Sequence, residues 1–241
     1  MKPLLDESRR RALDDYQALV SQYPNLFVQR ARRRLVLDSV DLAAYAAAHE
    51  GPLGVAAATP YVYFIVDLVE SRHLDGTVAR YPYLRVIFRG QLAGGFNVVV
   101  VPVVADASIG RIGDIILIRQ ERHATGRVEL ELPRGFAQPG LSIAANALKE
   151  LKEETGYLGK EAHELGATIT DSGVMDACVH YLHVPVTGRR DSDPEAREAI
   201  VGIEVLAPEE IWSQIRDGRL RDGFTLQGMA LWDKFGSGAR K

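Results

Sequence analysis

The sequence predicts a mixed α/β protein, and three observations lead to that prediction. The chain has 241 residues, which is the length of about one and a half to two ordinary domains. Hydrophobic residues make up 46% and charged residues 25% of it, as in a globular protein with a core of its own. Segments with a helical spacing of apolar residues also alternate along the chain with segments rich in β-branched and aromatic residues.

Charge, cysteine content and hydropathy exclude several classes of protein. The 29 basic and 32 acidic residues give a net charge of −3, so the molecule as a whole is not built to condense on nucleic acid. Its one cysteine, Cys178, excludes an intramolecular disulfide framework and a cysteine-cage zinc site. The longest apolar run, residues 98–104, is too short to span a bilayer, and the first eleven residues lack the apolar segment of a signal peptide. We therefore expect a soluble cytoplasmic protein with no membrane contact.

The N-terminal part of the chain is predicted to be helical. Apolar residues recur at helical spacing between residues 4 and 22, and Tyr23-Pro24-Asn25 ends that pattern. A second helix is predicted over residues 41–49, and residues 51–60 are predicted to form a loop. We assign residues 1–57 to an N-terminal helical extension.

The rest of the chain is predicted to mix strands and helices. Strands are expected where β-branched and aromatic residues concentrate, over residues 61–68, 84–88, 96–104, 115–119, 128–132, 178–184 and 200–206. A helix is expected between an N-cap at Ser142 and a stop at Gly156. Two further helices are expected over residues 208–215 and 226–235, and a turn over residues 90–95.

Three glutamates of the predicted central helix form a distinctive cluster. Glu150, Glu153 and Glu154 stand at positions i, i+3 and i+4, which places their carboxylates on one face. Lys149 and Lys152 could neutralise part of that charge, and a hard divalent cation would do so better. A solvated acidic helix face is the alternative interpretation of the three glutamates taken alone.

The loop before this helix favours a divalent cation over a solvated acidic face. It contains two glycines and two prolines within residues 133–140. Together with the helix it resembles the Nudix box, which reads Gly, five residues, Glu, seven residues, then Arg-Glu-apolar-x-Glu-Glu-x-Gly-apolar. Gly135 matches the first position, and residues 149–157, KELKEETGY, match the end at the same distance.

Two positions depart from this pattern. Leu141 stands where the family has its first glutamate, and Lys149 stands where it has arginine. In the family these two side chains pair and brace the loop against the helix. The change could mean weaker metal binding, a repacked apolar contact or lost catalysis. We favour the repacked contact, because both positions differ together and no unpaired buried charge results.

The flanking residues resemble one branch of the family, the ADP-ribose pyrophosphatases. Residues 118–122, IRQER, precede the box, and Glu131-Leu132-Pro133 leads into it. The branch continues with alanine where this chain has Arg134, whose guanidinium could reach a phosphate or a carboxylate. An exposed loop arginine is the alternative interpretation.

The resemblance implies a Nudix α/β/α sandwich with a mixed β-sheet, preceded by the helical and β-strand extension. It assigns residues 58–241 to the Nudix domain, with N-terminal strands over residues 58–95. It also implies Mg²⁺ as cofactor, with Mn²⁺ as a substitute, and a homodimer. The implied reaction is hydrolysis of a nucleoside diphosphate linked to another moiety, with ADP-ribose giving AMP and ribose 5-phosphate.

The same resemblance implies roles for individual residues. The metal ligands would be Glu150, Glu153, Glu154 and the backbone carbonyl of Arg134. The catalytic carboxylates would be Glu153, Glu154, Glu198 and Glu195, with Glu198 the first candidate for activating water. The substrate-binding residues would be Arg119, Arg122, Arg134 and Gly135. Surface charge at a strand end, or in a solvated loop, is the alternative for the arginines and for Glu195 and Glu198.

Two other functions are open at this point. A Nudix domain with a weakened box could bind a nucleotide metabolite as a sensor or regulator. An RNA-end pyrophosphohydrolase is the other alternative, because residues 1–34 hold eight basic and four acidic residues, a local charge of +4. That segment lacks interleaved aromatic residues for stacking on RNA bases.

His180 and His183 lie three apart in a predicted strand and point to opposite faces, so we expect them to be structural.

Overall fold

The chain packs as two compact units in a computed structural model that describes residues 5–30, 32–136, 138, 140–190 and 199–236. The first unit holds the described residues up to Gly94 together with residues 171–176. The second holds the described residues of 95–170 and those from Ala177 onward. The predicted boundary at residue 57 therefore falls inside the first unit.

The first unit is an antiparallel sheet covered by helices. Its elements are α1 (Glu7–Gln22), a 3₁₀ turn (Pro24–Leu26), β1 (Arg33–Leu35), α2 (Ser39–Ala48), β2 (Gly54–Ala58), β3 (Val62–Arg72), β4 (Val78–Phe88) and α3 (Arg89–Leu92). Strand β3 pairs with β4 along its whole length and with β1 and β2 on its other edge. Tyr16 and Leu19 of α1, Leu42 of α2, and Ile65 and Leu68 of β3 share one apolar core.

A buried charge pair is part of this first core. The Asp67 carboxylate is buried, forms an ion pair with Arg85, and accepts a hydrogen bond from the Tyr16 hydroxyl at 2.6 Å. Arg85 also donates to the Leu26 carbonyl at 2.9 Å. Burial, together with the negative charge of Asp67, raises the pKa of Tyr16 well above its usual value. The hydroxyl therefore remains a donor to Asp67 at neutral pH.

The loop predicted over residues 51–60 is wrong in its centre, because residues 54–58 form strand β2. This stretch, Gly-Val-Ala-Ala-Ala, has a low intrinsic preference for strand. Its pairing with β3 and its packing against α1 override that preference. A Cβ atom on Gly54 would lie 2.4 Å from the Ala12 carbonyl oxygen, so only glycine lets β2 approach α1 this closely.

The second unit is a larger mixed sheet between helices. Its elements are β5 (Asn97–Val104), β6 (Ile115–Arg122), β7 (Arg127–Glu131), β8 (Arg134–Phe136), α4 (Ile143–Thr155), β9 (Tyr157–Gly159), β10 (His163–Ile169), β11 (Cys178–Arg189), β12 (Ile200–Leu206), α5 (Pro208–Arg216) and α6 (Gly223–Phe235). The main strand order is β10-β11-β5-β6-β12. Strands β5 and β11 run parallel, and the other described pairs are antiparallel.

Helices cover both faces of this sheet. Val99 and Val101 of β5 pack in a core with α5 and α6, whereas Val98 and Val100 pack in a second core with α4. This alternation follows from the two-residue period of a strand. It explains why residues 98–104 are apolar on both faces, and it confirms the predicted α/β/α sandwich with a mixed sheet.

Helix α4 confirms the predicted N-cap and stop signals. The Ser142 side chain accepts a hydrogen bond from the Ala145 N–H at 3.2 Å, and Gly156 ends the helix at a φ of 72°.

Within the described part of the chain, no helix is both long and apolar enough to cross a membrane.

His183 is expected to make stability pH-dependent. It is 8% exposed on β11, opposite His163 of β10. Burial and then the charge of His163 lower the pKa of His183 from 6.5 to about 4. Between these two values the unfolded chain takes up a proton that the folded chain does not. The free energy of unfolding should therefore fall as the pH drops from 6.5 to 4, by up to about 3 kcal/mol.

Urea denaturation at pH 7 and pH 4.5 tests this expectation. The His183→Gln variant should lose about 2 kcal/mol less between these pH values than the parent protein. The exposed His123 supplies a matched control, since His123→Gln should follow the parent. Equal losses in all three proteins would show that His183 does not titrate as described.

Candidate active site

Helix α4 buries two of its three clustered carboxylates. Glu150 is 7% exposed and Glu154 is 3% exposed, whereas the Glu153 side chain is 38% exposed. Burying a carboxylate is unfavourable unless it is paired or hydrogen-bonded. A solvated acidic face therefore does not account for Glu150 and Glu154.

Lys149 supplies a positive charge to this cluster. Its Nζ lies 2.5 Å from Glu153 Oε2 and 3.3 Å from Glu150 Oε1. Burial works against the charge of Lys149, but its hydrogen bonds with Glu153 and Glu150 and their negative charges outweigh that effect and raise its pKa. The Lys149 ammonium thus lies between two carboxylates and neutralises part of their charge, as the sequence predicted.

Residues 132–135, which run from the turn after β7 into β8 and are called the Gly135 turn here, lie directly against the two buried glutamates. A Cβ atom on Gly135 would lie 2.2 Å from the carboxyl carbon of Glu150. The preceding residue, Arg134, donates its backbone N–H to Glu154 Oε2 at 3.0 Å. Because Gly135 has no side chain, the Glu150 carboxylate can pack directly against strand β8.

The donor chemistry of this place fits a hard divalent cation. Carboxylate oxygens are the ligands that Mg²⁺ prefers. The Glu150 carboxylate occupies the space that a Cβ atom on Gly135 would fill. Among the residues that the structure describes, no three or more His, Cys, Asp or Glu side chains are arranged to hold a metal ion. A cation at Glu150 and Glu153 would instead have to compete with the Lys149 ammonium.

A second set of charges surrounds Glu131, which is 1% exposed. Arg122 donates to both of its carboxylate oxygens, at 2.9 and 2.5 Å, and Arg134 Nη2 lies 2.9 Å from Glu131 Oε2. Burial opposes the charge of Arg122, but the hydrogen bond and the negative charge of Glu131 outweigh it and raise the pKa of Arg122. Arg122 and Arg134, two of the three arginines predicted to bind substrate, therefore bind a protein carboxylate.

Arg134 extends this set to helix α6. Its Nη1 donates to Asp222 Oδ1 at 2.9 Å, and its guanidinium carbon stands 4.2 Å from the centre of the Phe224 ring. Asp222 is the N-cap of α6, and its other oxygen accepts the N–H of Thr225 at 2.8 Å. The sequence left a phosphate or a carboxylate as the partner of Arg134, and the structure shows contacts with two carboxylates. A substrate contact by Arg134 stays a prediction.

Arg119, another predicted site residue, is not brought to the glutamates of α4. Arg119 forms an ion pair with Glu204 at 2.6 Å. It shares the sheet face of Leu117, which packs in the core with α5 and α6, whereas α4 covers the opposite face. Glu195 and Glu198 lie outside the described residues, so their roles stay predictions.

Three polar residues of this region were not predicted from the sequence: Asp222, Thr225 and Asn146. An N-cap rule applied to Asp222 would have started the last helix at Gly223, but it does not predict the contact with Arg134. Asn146 is buried and donates to the Phe136 carbonyl at 3.1 Å. Asn146 precedes Glu150 by four residues, so its place on the glutamate face of α4 was the available signal.

Comparison with known proteins identifies the domain that contains this site. The family model for the NUDIX domain matches residues 96–225, more than half of the chain. The chain belongs to the Nudix family. The match includes the three glutamates of α4, the Gly135 turn and Asp222.

Individual relatives cover shorter stretches of this Nudix protein. The ADP-sugar pyrophosphatase of Mus musculus is 40% identical over 74 residues, which are 31% of this chain and 34% of that protein. The ADP-ribose pyrophosphatase of Bacillus subtilis is 38% identical over 68 residues, or 28% of this chain and 37% of that protein. The match therefore spans about a third of the length of these curated relatives.

A solved structure supports the fold. The crystal structure of an ADP compounds hydrolase superposes with a TM-score of 0.59 at 19% identity, covering 77% of this chain and 91% of that one. The Nudix membership and the α/β/α fold predicted from the sequence are thus confirmed.

The contact between Gly135 and Glu150 can be tested by substitution. Gly135→Ala should push the Glu150 carboxylate from its buried place and destabilise the protein by about 1–3 kcal/mol, as overpacking does. The free energy of unfolding in urea measures this effect. Gly90→Ala is the matched control, because a Cβ there meets nothing within 4 Å. A Gly135→Ala protein as stable as the control would contradict the described contact.

Proposed function

We propose that this Nudix protein hydrolyses a nucleoside diphosphate linked to another moiety, with ADP-ribose as substrate and AMP and ribose 5-phosphate as products. The observation that carries the proposal is the burial of Glu150 and Glu154 against the Gly135 turn. The names of the relatives, an ADP-sugar and an ADP-ribose pyrophosphatase, support the substrate class.

The difficulty of this reaction is electrostatic. The charged oxygens of a diphosphate repel an anionic nucleophile. Mg²⁺, with Mn²⁺ as a substitute, would neutralise those oxygens and lower the pKa of a bound water. Glu150, Glu153 and Glu154 would hold the ion, together with the backbone carbonyl of Arg134.

The chain itself supplies the groups that orient and deprotonate. Glu154 is held in one orientation by the Arg134 N–H. Glu153 is the most exposed of the three carboxylates and can accept a proton from solvent water. Glu198 and then Glu195 are the other candidates for the base. Phosphate contacts by Arg119 and Arg122, and a substrate contact at Gly135, stay predictions.

Lys149 has a separate part in this proposal. Its ammonium neutralises Glu150 and Glu153 when no metal is present and must move away when a cation binds.

We also propose that the protein is a cytoplasmic homodimer that acts on a small molecule rather than on nucleic acid.

Turnover of ADP-ribose tests the activity. The parent protein should release AMP only when Mg²⁺ or Mn²⁺ is present, and Glu154→Gln should lower kcat at least about 100-fold. Glutamine keeps an oxygen for the Arg134 N–H, so the fold should be preserved. Glu161→Gln, at an exposed glutamate, should match the parent.

Failure on ADP-ribose, nucleotide sugars and dinucleotides would overturn the hydrolase proposal. Calorimetric binding of ADP-ribose by such an inactive protein would favour the sensor alternative. Release of pyrophosphate from 5′-triphosphorylated RNA would favour RNA-end processing.

Removal of the Lys149 charge should strengthen metal binding. Lys149→Met leaves the carboxylates without their internal counter-ion, so the Kd for Mn²⁺ should fall several-fold. Electron paramagnetic resonance of free Mn²⁺ measures that Kd without substrate. Lys152→Met, at an exposed lysine of the same helix, is the control, and an equal Kd in both variants would contradict the role of Lys149.

A further inference from the structure

We infer that Arg134 is a positioning residue, whose side chain fixes the turn between β7 and β8 to helix α6 and thereby orients the Glu154 carboxylate. The consequence for catalysis rests on the proposed function. The orientation of Glu154 does not, and it can be measured by itself.

The backbone of the turn explains how Arg134 reaches Glu154. The Pro133 carbonyl accepts a hydrogen bond from the Val100 N–H at 2.8 Å. The C=O and N–H of one planar trans peptide point in opposite directions, so the Arg134 N–H of the same peptide faces away from β5. That N–H is the one that donates to Glu154 Oε2 at 3.0 Å.

The side chain of Arg134 fixes this backbone from the other side. The Arg134 side chain is 18% exposed, and its guanidinium lies between Glu131 and Asp222, at 2.9 Å from each. Two residues earlier, the Leu132 N–H donates to the Thr225 hydroxyl at 2.9 Å. The turn is therefore tied to the first turn of α6 at residues 132 and 134.

These contacts favour a positioning role over a substrate contact. Both terminal nitrogens of Arg134 already bind carboxylates, and charge-assisted hydrogen bonds of this kind fix geometry tightly. Glu131 and Asp222 would lose a shared counter-ion if the guanidinium turned toward a ligand. The peptide of Arg134 therefore acts on Glu154, while its guanidinium holds that peptide in place.

Amide hydrogen exchange measured by NMR on the metal-free protein tests the hydrogen bond from the Arg134 N–H that orients Glu154. In Arg134→Met the amide of residue 134 should exchange at least tenfold faster, because the turn is no longer fixed to α6. Methionine keeps an apolar chain against Phe224. Asp222→Asn keeps an N-cap oxygen for Thr225 and removes the charge, so it should change exchange in the same direction by a smaller factor.

Kinetics test the consequence for catalysis. With saturating metal and ADP-ribose, kcat of Arg134→Met should fall at least tenfold while KM stays within threefold, since the variant removes no substrate contact. Arg219→Met, which breaks an exposed pair with Asp217, should match the parent in both measurements.

A second control separates positioning from general stability. Met229→Ala removes a fully buried side chain of α6 without touching the charges. Well below its melting temperature it should keep parent-like exchange at residue 134 and a parent-like kcat. If Met229→Ala reproduces both effects, or if exchange or kcat of Arg134→Met is unchanged in an active protein, the inference is wrong. If the parent protein hydrolyses nothing, the proposed function fails and exchange alone decides the orientation of Glu154.

Discussion

The second unit depends on the pairing of one buried carboxylate, Glu131, with two guanidinium groups. An isolated ionised carboxylate at this depth would be costly by several kcal/mol. Arg122 and Arg134 offset that cost with hydrogen bonds of 2.5 to 3.1 Å. Arg134 in turn fixes the turn that carries Gly135, and so the place of Glu150 and Glu154. The candidate site is therefore built outward from a charge pair that does not belong to the glutamate cluster itself.

The first unit uses the same physical device for a different purpose. Asp67 is buried between Arg85 and the Tyr16 hydroxyl, and the pair joins α1 to β3 and β4. In both units, removal of one partner would leave a buried charge uncompensated, which is more harmful than loss of an exposed ion pair. The exposed pair of Arg119 with Glu204 illustrates the weaker kind.

Local signals made the central helix and the fold class predictable. Ser142 and Gly156 mark the ends of α4, and the valine-rich run of β5 marks a strand buried on both faces. Several strands escaped prediction, because their short or small-residue sequences become strands only through pairing with neighbours: β1, β2, β8, β9 and β10. The clustered glutamates were found from their spacing, whereas their burial depends on the turn around Gly135.

Two features of the site had no local signal. The composition of residues 128–132 predicted a strand, yet it did not indicate that the Glu131 carboxylate would be buried. The contact of Arg134 with Asp222 joins residues 88 positions apart, a separation that periodicity and capping rules do not reach. Such pairs follow from tertiary packing and not from the sequence around either residue.

The parallel pairing of β5 with β11 has a consequence for how this domain is made. Parallel neighbours need a long crossover, and here the connecting chain includes β6, β7, β8, α4, β9 and β10. The centre of the sheet cannot close until β11 has left the ribosome, and Arg134 gains Asp222 only later still. The glutamate helix is therefore synthesised after the Gly135 segment against which its carboxylates pack, but before β11 and Asp222 exist. The slow, non-local closure of the sheet completes the surroundings of these carboxylates.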